Sequence, residues 1–187
     1  MVSIASLWLP ILVSAVAVFI ASSVIHMLIP WHRNDYSKLP GEDGIRAVMQ
    51  QAKVPAGEYM VPHCDDMKAM GSDEMKKKYD EGPVGFLTIF PNGPWKMGKS
   101  MVQWVLFSLW VGIFAAYIGG HVVSAGGHYL EVFRIVGTVA FLGYAGSQPV
   151  NAIWKGQKIS TTIKHSIDGL VYACLTAGVF GWLWPGA

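Results

Sequence analysis

Charge is what this sequence has least of. Asp, Glu, Lys and Arg make up only 14% of its 187 residues, against about a quarter in an ordinary soluble domain. The deficit is uneven: ten of the 14 Lys and Arg residues fall between Arg33 and Lys99, and ten of the 12 acids between Asp35 and Glu81. Basic and acidic residues share that segment, so the net charge of +2 makes no basic surface, and nucleic acid is excluded as a partner. Cysteine is nearly as scarce. Cys64 and Cys174 are too few for a disulfide framework, and without a Cys-x-x-Cys pair there is no dithiol redox centre. No nucleophile–base set is readable, so no catalytic residues are expected.

What is present in abundance is apolar sequence: 52% of the residues are hydrophobic, and the mean hydropathy is +0.38. Crossing a hydrocarbon core of about 30 Å takes about 20 apolar residues. Four stretches meet or approach that length: about Ser6 to Ile29, Met101 to Gly120, Val132 to Trp154 and Ser166 to Trp184. Tryptophans gather near their ends, among them Trp8, Trp31, Trp104, Trp154 and Trp184, where amphipathic rings favour the headgroup level. Arg33 and Lys38 follow the first stretch, Lys96 and Lys99 precede the second, and Lys155, Lys158 and Lys164 join the third to the fourth. By the positive-inside rule these connections are cytoplasmic and both termini periplasmic. A cleaved signal peptide is not expected, because the first stretch has no basic n-region and is longer than an h-region.

The expected fold is therefore an all-α membrane protein, a four-transmembrane-helix bundle with a small α/β cytoplasmic cap inserted between helices 1 and 2. Residues 1–30 form the first helix, 31–100 the cap and 101–187 the other three helices. Within the cap, Ile45, Val48, Met49 and Ala52 have helical spacing. Ser72 is placed to cap a second helix that carries Asp73 and Glu74 early and Lys76–Lys78 late. Residues 58–61 and 84–90 read as strands.

Gly93-Pro94-Trp95-Lys96-Met97-Gly98-Lys99-Ser100 matches the phosphate-binding pattern G-x-x-x-x-G-K-[ST]. No parallel sheet or magnesium-binding Asp accompanies it, so nucleotide hydrolysis is not expected. Ser100 and Gln103 read instead as a capping box, and Lys96, Lys99 and Ser100 as contacts to a lipid phosphate. With the spans oriented, Ser22, Ser23, His26, Gln103, Ser147, Gln148, Asn151 and Asp168 fall at one depth near the cytoplasmic side. Polar groups at such a depth face the bundle interior and either mark function or knit helix ends together. Pro149 is placed to break the third helix beside them. His26 and His165 at similar depth raise bis-histidine haem ligation. His63, Cys64 and Asp65, with Asp66, Met67 and Met70, raise a soft-metal site that follows no zinc spacing. Neither haem nor copper is expected, and phospholipid is the one small-molecule contact. Glu131 and Arg134 are spaced to pair. Gly169, Ala173, Ala177 and Gly181, and Ser108, Gly112, Ala116 and Gly120, form small-residue ribbons suited to close helix packing, within the chain or against a partner.

Three stretches, Ser22 to Tyr36, Gly98 to Trp104 and Asp168 to Trp184, resemble a group of uncharacterised small bacterial four-helix inner-membrane proteins. The resemblance implies a multi-pass protein of the bacterial inner membrane and transfers no activity or site. The leading functional expectation is a non-enzymatic membrane protein, oligomeric or an accessory subunit of a larger complex, partnered by lipids and by itself or other membrane subunits. A solute- or ion-permeation protein with a polar inner vestibule is the alternative. A metal- or haem-binding redox subunit comes third.

Overall fold

The computed structural model describes residues 1–186. It is mostly helical, and the chain divides into two units. One comprises Met1–Tyr36 and the chain from Lys96 onward; the other is Ser37–Trp95.

In the first unit, a 3-10 turn at Ile4–Leu7 leads into α1 (Trp8–Ser23), which widens into a π-helical turn at Val24–Leu28. Helices α4 (Met97–Val122), α5 (Tyr129–Ala145), α6 (Gln148–Lys155) and α7 (Ile159–Trp182) complete it. Among the described residues, three stretches are long and apolar enough to cross a membrane: Ile4–Leu28, Met97–Val122 and Tyr129–Lys155. The expected fourth, α7, is not among them, because Thr161, Thr162, Lys164, His165 and Asp168 make its first half polar. The third stretch breaks as Pro149 suggested. The chain leaves α5 at Gly146 and restarts as α6, with Pro149 in its first turn.

Helix α5 packs most extensively on α7, and α1 packs on both α4 and α7. Small residues make these approaches close. A Cβ on Gly169 would lie 2.7 Å from the Ala145 Cβ, and one on Gly181 would lie 2.6 Å from the Tyr129 ring. On α4, a Cβ on Gly120 would strike the Val2 carbonyl, while Gly112 faces Ile11. Both small-residue ribbons are thus used inside the chain, and neither is left as an argument for a partner.

Trp104 and Trp184 do not serve as outward anchors. Trp104 Nε1 donates to Ser22 Oγ at 2.9 Å, and Trp184, 3% exposed, donates to the Ser124 carbonyl at 2.9 Å. The capping box at Ser100 and Gln103 is also absent: α4 starts a turn earlier, after Lys96, with no side-chain cap. Glu131 and Arg134 form no ion pair among the described residues. Both are exposed, and the start of α5 is capped by His128, whose Nδ1 accepts from the Leu130 N–H at 3.2 Å.

The second unit holds α2 (Glu42–Gln51), β1 (Gly57–Val61), α3 (Asp73–Glu81) and β2 (Gly85–Ile89). The strands pair antiparallel with Gly57 opposite Ile89 and Val61 opposite Gly85. Ser72 caps α3 as expected, its Oγ accepting from the Met75 N–H at 3.3 Å. Met75 is the buried residue of α3, whereas α2 buries none. So thin a core gives this unit little apolar stabilisation of its own.

Candidate functional site: a buried histidine–aspartate cluster

The site begins where α1 ends. Pro30 restricts Ile29 to extended backbone (φ −87°, ψ 129°), so the helix stops there. The last turn widens, with the Ile29 N–H donating to the Val24 carbonyl at 3.2 Å. Such π-turns recur at functional sites because they re-aim one side chain; here that side chain is His26. A 3-10 turn at Pro30–His32 then reverses the chain and brings the His32 ring to 4.4 Å from the His26 ring. The Asp35 N–H donates to the His32 carbonyl at 3.1 Å, closing the turn.

Helix α7 supplies the opposite wall. Thr161, Lys164, His165, Asp168 and Tyr172 recur at three- and four-residue steps and so share one face. Lys164 Nζ donates to Asp35 Oδ1 at 2.7 Å, and His165 stacks on His32 with ring centres 5.0 Å apart. The Tyr172 hydroxyl lies 3.4 Å from His26 Nε2.

At the centre are His32, Asp35 and Asp168, with side chains 13%, 4% and 6% exposed. His32 Nδ1 is 2.6 Å from Asp35 Oδ2. Burial pushes the Asp35 carboxyl up, but hydrogen bonds from Lys164 and His32, with their charges, outweigh it and hold the pKa at about 2. Asp35 is therefore an acceptor only, and Nδ1 of His32 carries the proton. Nε2 is the other nitrogen of the ring. That nitrogen sits 2.9 Å from Asp168 Oδ2, yet neither atom has a hydrogen-bond partner among the described residues. The contact is buried on both sides but lacks the alignment of a hydrogen bond.

A cation held between the two atoms would fit this arrangement. Two neighbouring ligands on an ion with bonds of about 2.1 Å stand about 3 Å apart, and neither points at the other. One ligand atom each from His26, His32 and Asp168 lies within 4.8 Å of the other two. Two imidazoles and a carboxylate suit divalent first-row metals and leave coordination positions open. Asp35, 2.6 Å from the far nitrogen of His32, is where an outer carboxylate would fix a ligating imidazole. His26 is exposed, giving the cluster an open side.

Of the polar set expected at one depth, the structure brings His26 and Asp168 together. Ser22 instead binds Trp104 and, with Ser23, donates to the Phe19 carbonyl. Gln103 and Ser147 are exposed, and Gln148 and Asn151 are half-buried. The His26 and His165 rings, the pair considered for haem, are 6.3 Å apart, with the His32 ring 4.4 Å from the first and 5.0 Å from the second. At the soft-metal candidate, His63 and Asp65 pair at 3.1 Å but are 67% and 99% exposed, and the Cys64 thiol donates to the Asp66 carbonyl. No group of three ligands forms there among the described residues. Lys96, Lys99 and Ser100 are all exposed. The phosphate-loop match follows a strand of an antiparallel pair and divides between the two units after Trp95.

His32 and Asp35 did not stand out in the sequence. The signal that marks them is a doubled spacing, His-x-x-Asp at His32–Asp35 and again at His165–Asp168. Comparison with protein-family models, curated proteins and solved structures finds no match for this chain.

Proposed function

We propose that this is a four-span, multi-pass membrane protein that works as a metal-binding subunit, with one divalent first-row transition ion held by His26, His32 and Asp168. The observation that carries the reading is the buried, unaligned contact between His32 Nε2 and Asp168 Oδ2. The ligands are nitrogen and oxygen only, which favours zinc, iron, manganese or nickel over copper(I). Asp35 and Lys164 set the orientation of His32, and the Tyr172 hydroxyl meets His26 from within the helices.

Helix α7 is taken as the fourth span because its polar residues face inward. Thr162, Asp168 and Thr176 are buried, while Ile163, Ile167, Leu170 and Trp182 lie on its exposed face. Average hydropathy understates how apolar that face is, because polar groups turned away from lipid cost little. Lys and Arg near the span ends support a cytoplasmic histidine cluster and termini on the other side, in the bacterial inner membrane that the resemblance implies.

The test is metal content. Protein purified in mild detergent, stripped with chelator, reloaded with Co²⁺ and desalted is expected to retain one equivalent and show a ligand-field absorbance band. Asp168→Ala and His32→Ala are expected to retain none while staying monodisperse. Wild-type protein that retains no Co²⁺, Zn²⁺ or Fe²⁺ would overturn the reading.

A further inference from the structure

The cluster contains a second set of ligands that the proposed ion does not use. One ligand atom each from His32, Asp35 and His165 also lies within 4.8 Å of the others, and His32 belongs to both sets. Its two ring nitrogens meet different carboxylates: Nε2 lies 2.9 Å from Asp168 and Nδ1 lies 2.6 Å from Asp35. On the Asp35 side a cation is already present, because the Lys164 ammonium lies 2.7 Å from Asp35 Oδ1 with its side chain 22% exposed.

We infer that Lys164 fills a second divalent-cation position, made by His32, Asp35 and His165, and that its ammonium restricts this protein to one metal ion. The inference rests on the metal reading of the first position. Charge supports it. With Lys164 in place, a divalent ion at the first position, neutral His32 and two carboxylates leave the cluster at +1. Without the ammonium, a second divalent ion displaces the Nδ1 proton of His32 to solvent, and the ring becomes an imidazolate bridging the two ions. The total is again +1. Exchanging ammonium and neutral imidazole for a divalent ion and imidazolate therefore adds no net charge to a buried site, which is the condition such a site imposes. His165, stacked on His32 and half-buried, then gains a role that the single-ion arrangement does not give it.

The experiment is a count of bound ions in the full chain in detergent, after chelator treatment and reloading with Co²⁺. Wild type is expected to retain one equivalent, and Lys164→Met two. Lys164→Gln, which keeps a polar head and guards against misfolding of the first variant, is also expected to retain two. Lys164→Met/His165→Ala is expected to return to one. Loading with Cu²⁺ adds an independent readout: imidazolate-bridged ions couple, so the second equivalent should lower the paramagnetic resonance intensity per copper. One equivalent in both wild type and the folded Lys164 variants would overturn this inference and leave the first position standing. No equivalent in wild type would overturn the metal reading itself.

Discussion

The two ends of the helical unit are built on opposite principles. At the end where the termini meet, Leu7, Val123, Val132, Val136 and Phe180 are almost fully enclosed, and Ala116 and Ala177 fill the space between them. Backbone polar groups there are paired: Val2 N–H donates to the Gly120 carbonyl at 2.8 Å, and Gly126 N–H to the Pro185 carbonyl at 2.8 Å. At the histidine end, ionisable side chains hold the core, and beyond them Trp104, Tyr144 and Tyr172 stand edge to face. One end is closed by close packing, the other is assembled around charge. Close packing fixes a fold, whereas buried charge with an unaligned contact costs stability unless a ligand completes it.

That contrast breaks most sharply at the ligands. Asp168→Ala and His32→Ala are expected to abolish Co²⁺ retention, with thermal melting of the metal-free protein near the wild-type value or above it. Loss of folding in both variants would instead make the cluster a structural ion network. The opposite end should answer in the opposite way. Phe180→Ala removes a fully buried ring and is expected to cost about 3 kcal/mol or more, read as a lower melting temperature in detergent. The folded fraction should still retain one Co²⁺. An effect of Phe180→Ala on metal stoichiometry would mean that the two ends are coupled. Asp35→Asn comes next in size. Loss of an outer carboxylate is expected to weaken Co²⁺ binding by about 10- to 100-fold without changing its stoichiometry.

How well the sequence predicted each end follows from the same physics. Apolar runs and small-residue spacing are local patterns, so the helices, the break before Pro149 and the cap on α3 could all be read before the fold was known. The inward turn of Trp104 and Trp184 could not, because a tryptophan near a span end looks the same whether it faces lipid or a neighbouring helix. The cluster was half legible. His26 and Asp168 were found by depth, but depth places a residue along a helix and not around it, so Gln103 and Ser147 entered the same set although their side chains are exposed. His32 and Asp35 lie past the end of the first span, among surface charges, and only the reversal at Pro30–His32 turns them inward. Helix α7 falls outside the three apolar stretches for a related reason: an average over it mixes its exposed apolar face with the face that carries the histidine–aspartate cluster.

The smallest expected effect separates the two ends by acid. Because the carboxyl of Asp35 is held at about 2, below its ordinary 3.8, its ionised form stabilises the folded protein. That stabilisation is complete above about 4 and is lost as pH falls toward 2, because the unfolded chain takes up the proton first. Asp35→Asn removes the contribution at every pH. In metal-free protein, the gap in melting temperature between wild type and Asp35→Asn should therefore be constant above about pH 5 and close between about 4 and 2. Phe180→Ala, whose cost comes from lost packing, should keep its gap across the same range. A gap for Asp35→Asn that stays unchanged below pH 3 would mean that the Asp35–Lys164–His32 contacts contribute nothing as ions, and the charge-built end would then be held by packing like the other.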